Sequence, residues 1–131
     1  MPWTFEQSTG KLYCPDGIQI YIGYAGGNCG KNPEGINNPA MQEVHNIGPI
    51  PQGMYNHGLC IDHSSLGAFA IPLLPFQSNE MFGRGSFFMH GDTETPRCAS
   101  EGCIVMPPTV RRQYYLSADS VLQVVDVKDG N

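Results

Sequence analysis

Short apolar or alternating segments, separated by polar and glycine-rich stretches, recur along the whole chain. Strands are predicted over residues 3–7, 11–13, 18–24, 54–61, 68–74, 87–89 and 120–127. In the third of these, Ile18, Ile20 and Ile22 alternate with more polar residues, which predicts one apolar face. The first two predict a hairpin around Ser8-Thr9-Gly10.

Helical signals are sparse by comparison. Pro107 and Pro108 suit a helix start, and residues 109–116 form the one fair helix candidate. Residues 26–39 are polar and rich in glycine and asparagine, which predicts a long loop. Many short strands with one short helix predict a mainly β sandwich or barrel.

Length and charge narrow the class of protein. A chain of 131 residues predicts a single domain, 1–131, with a core of its own. The net charge of −5 and the scattered basic residues, of which only Arg111 and Arg112 are adjacent, argue against nucleic acid as a partner. No apolar run approaches the roughly 20 residues that span a bilayer.

The N-terminal segment bears on localisation. Met1-Pro2-Trp3-Thr4 and the residues after it have neither a charged n-region nor an apolar h-region. We therefore expect a protein made in the cytoplasm without a signal peptide.

Five cysteines leave two redox interpretations open. If Cys103 is the free thiol that an odd count requires, then Cys14, Cys29, Cys60 and Cys98 form two disulfides in one of three connectivities. In the second interpretation these four cysteines are reduced and packed as small hydrophobes.

The strongest chemical signal lies between residues 86 and 106. His90 closes the apolar run Phe87-Phe88-Met89, and Cys103 follows Gly102 and precedes another apolar run. Such positions present a base and a thiol at strand edges, and an imidazole helps a thiol to lose its proton. We predict Cys103 as a nucleophile and His90 as its base.

Several neighbours of this pair are candidates for supporting roles. Among Asp92, Glu94 and Glu101, Asp92 is best placed to fix the tautomer of His90; its alternative is a turn-forming aspartate. Ser100 is expected to hydrogen-bond within the turn before Cys103. Cys98 is either a resolving thiol for Cys103 or paired elsewhere.

A metal site is the competing interpretation of His57, Cys60 and His63. On a strand the two histidines share a face while Cys60 points away, so a turn at Gly58 would be needed to bring the three together. We predict no metal and no cofactor.

Two segments resemble the signature of the L,D-transpeptidases, which is an apolar-His-Gly segment, a variable loop and Ser-His-Gly-Cys. They are Phe88-Met89-His90-Gly91 and Ser100-Glu101-Gly102-Cys103, and Glu101 stands where the family has its second histidine. The segment Gly48-Pro49-Ile50-Pro51-Gln52-Gly53-Met54-Tyr55 is similar to the Thr-Pro-x-Gly-x-aromatic strand entry of the same fold.

The chain is still more similar to the L,D-transpeptidase-like toxins that type VI secretion delivers between bacteria. They begin near Met-Pro-Trp, carry a loop like Gly30-Lys31-Asn32, and have a segment like Met81-Phe82-Gly83-Arg84 before the histidine. This resemblance covers nearly the whole chain.

The resemblance implies an L,D-transpeptidase-like fold and a peptidoglycan substrate. Cys103 would form a thioester with the third residue of a tetrapeptide stem, releasing D-alanine, while the N–H groups of Gly102 and Cys103 hold the oxyanion. Water then gives an L,D-carboxypeptidase, and a D-amino acid gives an L,D-transpeptidase. The implied partners are the secretion machinery and an immunity protein, and the implied place of action is the periplasm of a target bacterium.

Arg84, Lys31 and Asn32 are the candidate substrate-binding residues. Arg84 is the candidate for a substrate carboxylate, with a structural salt bridge to an acidic residue as its alternative. Lys31 and Asn32 are expected at the rim of the cleft. The rival functions are another cysteine peptidase or amidase of the cell wall, and an inactive peptidoglycan-binding module.

Overall fold

The protein is mainly β, as predicted, in a computed structural model that describes residues 2–92 and 101–128. Its strands are β1 (Trp3–Glu6), β2 (Lys11–Tyr13), β3 (Gln19–Ile22), β4 (Tyr24–Ala25), β5 (Gly53–His57), β6 (Ile61–His63), β7 (Gly67–Pro75), β8 (Phe87–His90), β9 (Ile104–Val105) and β10 (Val121–Val125). The helix α1 spans Pro108–Tyr115, and two short 3-10 helices span Pro33–Gly35 and Pro39–Met41.

One sheet carries the fold and curves into a nearly closed barrel. Its strand order is β3-β2-β1-β10-β5-β7-β8-β9-β4, and β6 pairs with β7 away from this path. Most neighbours are antiparallel, whereas β1 with β10 and β8 with β9 are parallel. The second parallel pair places two strands that are separated by a loop side by side with their carboxyl ends together.

The core lies inside this curved sheet, and alternation along each strand supplies it. Trp3 and Phe5 from β1, Met89 from β8 and Leu122 from β10 are almost fully buried. The buried indole of Trp3 keeps a hydrogen bond, because its Nε1–H donates to Ser117 Oγ at 3.1 Å. The first and last strands therefore meet in one core.

The predicted strand over residues 18–24 is divided in the structure. It breaks at Gly23, where a Cβ atom would lie 2.1 Å from the carbonyl oxygen of Val105, so the chain passes too close to β9 for a side chain. The predicted apolar face of its first part is not buried, because β3 is an edge strand and leaves Ile18 61% and Ile22 53% exposed. The predicted helix, by contrast, is confirmed within one residue at each end.

Helix α1 packs on the sheet behind β8. Val110 and Tyr114 are buried, and the guanidinium of Arg111 donates to the carbonyls of Ala68 and Phe69 at 3.0 and 2.9 Å. None of the described helices has the length and apolar character that a membrane crossing requires.

Candidate active site

The parallel pairing of β8 with β9 brings the predicted base and thiol together. His90 is in register with Val105, and the N–H of Phe88 lies 3.4 Å from the sulfur of Cys103. Because side chains alternate along a strand, those of His90 and Cys103 project from one face of the sheet, while Met89 enters the core on the other. His90 therefore ends β8, and Cys103 directly precedes the strand β9 that pairs with it.

His90 is held as a neutral imidazole with a defined tautomer. Its Nδ1 lies 2.8 Å from the carbonyl oxygen of Gly91, which only accepts, so Nδ1 carries the proton. Its Nε2 is buried and has no hydrogen-bond partner in the described parts of the chain. Burial lowers the pKa of His90, and the charge of Arg111 adds to this effect. Nε2 consequently carries a lone pair that can accept a proton.

Cys103 rests as a thiol. Burial is the main effect that raises its pKa to about 11, the charge of Glu101 adds to it, and the Phe88 N–H and Arg84 oppose it. Burial thus favours the thiol of Cys103 and the neutral imidazole of His90.

Asp92 lies next to His90 but takes another hydrogen bond. Its carboxylate accepts from the Tyr24 hydroxyl at 2.8 Å, and its charge acts to raise the pKa of His90. The hydrogen bond that sets the tautomer comes from the Gly91 carbonyl, and the orienting role of Asp92 stays a prediction. The predictions for Glu94, Cys98 and Ser100 fall on residues outside the described part of the chain.

Arg84 is 8% exposed and surrounded by backbone carbonyls. Its guanidinium donates to Pro49 at 2.8 Å, Gly48 at 3.0 Å, Glu101 at 3.3 Å and Gln42, and it lies over the ring of Phe87. These contacts connect the loop before β5 to the turn before Cys103. Binding of a substrate carboxylate by Arg84 stays a prediction, and the observed contacts favour a positioning role.

Gly102 fits against Arg84 because it has no side chain. Its φ is +133°, and a Cβ there would lie 2.5 Å from a guanidinium nitrogen of Arg84 and 2.7 Å from the ring of Phe87. Its carbonyl accepts from the N–H of Ile50 at 2.9 Å. The turn that aims the N–H groups of Gly102 and Cys103 is therefore fixed from two sides, and their role as an oxyanion hole stays a prediction.

A cavity of about 330 Å³, lined by both polar and apolar residues, opens beside the sulfur. Cys103, Phe88 and Glu101 line it together with His63, Ser65, Ser86 and Asn46. Lys31 and Asn32 are not among the described residues that line it; the Asn32 side chain instead bonds to Asn28 and Glu34 within its own loop. Their predicted place at the rim of the cleft stays a prediction.

His63 lines the cavity, a position that the sequence did not predict. Its Nδ1 accepts the N–H groups of Ser65 and Leu66 at 3.0 and 3.1 Å. The ring meets Phe88 edge to face at 5.2 Å. The polar turn after His63 is the feature of the sequence that bears on this position. The chain continues from this turn as β7, which pairs with β8.

The competing metal interpretation is not supported by this arrangement. His57 Nδ1 lies 3.0 Å from the Gly58 carbonyl, and its ring packs against Tyr114 and Tyr115. Residues 2–92 and 101–128 hold no group of three His, Cys, Asp or Glu side chains that is fit for a metal ion.

The cysteines follow neither of the two predicted redox patterns. Cys14, Cys60 and Cys103 are reduced cysteines outside any disulfide, whereas Cys29 is disulfide-bonded. Two disulfides among the four other cysteines are therefore wrong, because Cys14 and Cys60 are unpaired, and a fully reduced set is wrong for Cys29. The thiol of Cys103 is available for chemistry.

A barrel-like β fold in which a histidine ends β8, and a cysteine that lines a cavity directly precedes the parallel strand β9, defines a candidate cysteine–histidine active site. The Tlde1 domain model matches residues 26–128. Since this match covers most of the chain, the chain belongs to the Tlde1 domain family, a family of type VI secretion effectors. No curated protein and no solved structure matches the chain.

The protonation state of Cys103 can be tested by alkylation. Because only the thiolate reacts, we expect modification by iodoacetamide to accelerate about tenfold per pH unit from pH 7 to pH 10 and to level off near pH 11. Peptide mass spectrometry resolves Cys103 from the other free thiols. A rate that levels off below pH 8 would instead show that the pair rests as thiolate and imidazolium.

A lysine substitution separates the two roles of Arg84. Arg84→Lys keeps the charge but leaves buried carbonyls without donors, so we expect the free energy of unfolding to fall by at least about 2 kcal/mol. Urea unfolding measures this, with the exposed Arg112→Lys as the control, expected within about 0.5 kcal/mol of the parent. If Arg84→Lys leaves the free energy of unfolding unchanged but raises the KM for a substrate with a carboxylate, the carboxylate-binding role is favoured.

Proposed function

We propose that the protein is an antibacterial effector that modifies peptidoglycan through a thioester on Cys103. The observation that carries this proposal is the buried Nε2 of His90, which has no hydrogen-bond partner in the described parts of the chain and ends the strand that pairs with the strand after the reduced Cys103. Membership of the effector family supports the biological setting.

The first chemical step uses the tautomer of His90. Nε2 takes the proton of Cys103 as the sulfur attacks the carbonyl carbon of the third stem residue, a diamino acid attacked at its L-centre. The carbonyl oxygen becomes an oxyanion, which the N–H groups of Gly102 and Cys103 hold. Because Nδ1–H already donates to Gly91, the imidazolium that forms keeps a hydrogen bond in place.

The second step returns the proton. The tetrahedral intermediate collapses, the bond to the terminal D-alanine breaks, and Nε2–H protonates the leaving amine. A thioester between Cys103 and the tripeptide remains. Water attacking this thioester releases the tripeptide and makes the protein an L,D-carboxypeptidase, whereas a D-amino acid releases an exchanged tetrapeptide and makes it an L,D-transpeptidase.

Before substrate binds, the thiol of Cys103 and the imidazole of His90 are both uncharged. Burial disfavours both the thiolate and the imidazolium, so charge develops only along the reaction coordinate. The lowered pKa of His90 also keeps Nε2 unprotonated at mildly acidic pH. Activity is therefore expected to persist as the pH falls toward 6.

The setting follows from the substrate. Peptidoglycan stems lie in the periplasm of the target bacterium, so the type VI apparatus would deliver the protein there. The producing cell and its relatives then need an immunity protein that blocks the site.

Mass spectrometry of muropeptides tests nucleophile, bond and outcome together. We expect the protein to convert tetrapeptide stems to tripeptides, or to exchange their terminal D-alanine. Cys103→Ala should lower the rate by at least about a thousandfold, and His90→Ala by about a hundredfold or more. Cys14→Ala, which removes another free and half-buried thiol, is the matched control and should keep full activity.

Other outcomes of the same experiment identify the rival functions. Cleavage of a different bond would assign the site to another cysteine peptidase or amidase. Release of no product, with toxicity in the periplasm unchanged by Cys103→Ala, would leave a binding module and contradict the proposal.

A further inference from the structure

The cavity beside the nucleophile is negatively charged. Among the described residues that line it, Glu101 is the only acidic one, and none is a lysine or an arginine. Its side chain is exposed and has no hydrogen bond or ion pair within the described parts of the chain. A substrate that enters the cavity therefore meets an uncompensated carboxylate.

The basic residue nearest to this carboxylate is held by the protein itself. The guanidinium of Arg84 is buried and donates to backbone carbonyls, including that of Glu101; its charge acts on Cys103, but it is not among the residues that line the cavity. His63 Nδ1 accepts two backbone N–H groups. Glu101 is consequently the charged side chain that a substrate meets among the described lining residues.

Glu101 is held close to the reacting sulfur. It precedes Gly102 and Cys103 directly, and Arg84 anchors its carbonyl oxygen. Its charge acts on the thiol, since it helps to raise the pKa of Cys103. A negative charge here opposes both the thiolate and the oxyanion, and a cation brought by the substrate would remove that opposition.

We propose that Glu101 selects acyl donors that carry a free ammonium group close to the carbonyl under attack. This inference rests on the proposed function, under which the ammonium is the side-chain amine of the diamino acid in the stem. Stems whose amine is acylated, as when it takes part in a cross-link, then become poor substrates. The carboxylates of the stem are oriented away from Glu101 by repulsion.

Two synthetic tetrapeptides test this selection. One is L-Ala-γ-D-Glu-meso-diaminopimelyl-D-Ala with its free side-chain amine, and the other carries an acetyl group on that amine. We expect the protein to prefer the free amine in kcat/KM by about fivefold or more, and we expect the preference to shrink as salt is added. D-alanine release is the readout.

The variant Glu101→Gln should bring the ratio of the two kcat/KM values close to one, without abolishing release from the acetylated peptide. Glu43→Gln removes the same charge from an exposed position that is not among the lining residues, and it should keep the parent ratio. A ratio that is unchanged in Glu101→Gln would overturn the inference even if both peptides are cleaved.

A binding arm separates this inference from the proposed function. Calorimetry on Cys103→Ala should show tighter binding of the free-amine peptide, and the double variant with Glu101→Gln should lose that difference. If the parent protein releases D-alanine from neither peptide, the proposed function fails, and this binding difference alone decides the role of Glu101. Equal affinity of Cys103→Ala for both peptides would contradict the proposed selection of ammonium groups by Glu101.

Discussion

The buried guanidinium of Arg84 is the interaction on which the site depends. Its donors reach the carbonyls of Gly48 and Pro49 before β5 and that of Glu101 before β9, so one planar group binds two distant segments. Gly102 allows this close approach because a Cβ would collide with the guanidinium. Once this turn is fixed, β9 enters beside β8 with Cys103 next to the N–H of Phe88.

A backbone group also orients the base. The carbonyl of Gly91, rather than a carboxylate, sets the tautomer of His90 and leaves Nε2 as the free lone pair. Burial keeps the imidazole and the thiol neutral, so reactivity depends on what the substrate brings into the cavity. The charge of Glu101 opposes formation of the thiolate, and under our proposal it attracts a cation carried by the substrate.

Alternating apolar positions predicted most of the barrel, since a strand with one buried face leaves a period of two in the sequence. The pattern failed at Ile18 and Ile22, where burial depends on whether another strand covers the edge. His90 and Cys103 are predicted as site residues because each lies next to a glycine and an apolar run. The contacts of Arg84 and the place of His63 were not predictable, because carbonyl acceptors and the register between distant segments leave no local signature.

Intact-mass spectrometry after rapid acid quenching tests the central claim most directly. Incubation with the free-amine tetrapeptide should give a transient adduct on Cys103 with the mass of the tripeptide acyl group, and Cys103→Ala should give none. His90→Ala should form the adduct far more slowly. Release of D-alanine with no adduct, and at the same rate from Cys103→Ala, would contradict the thioester account.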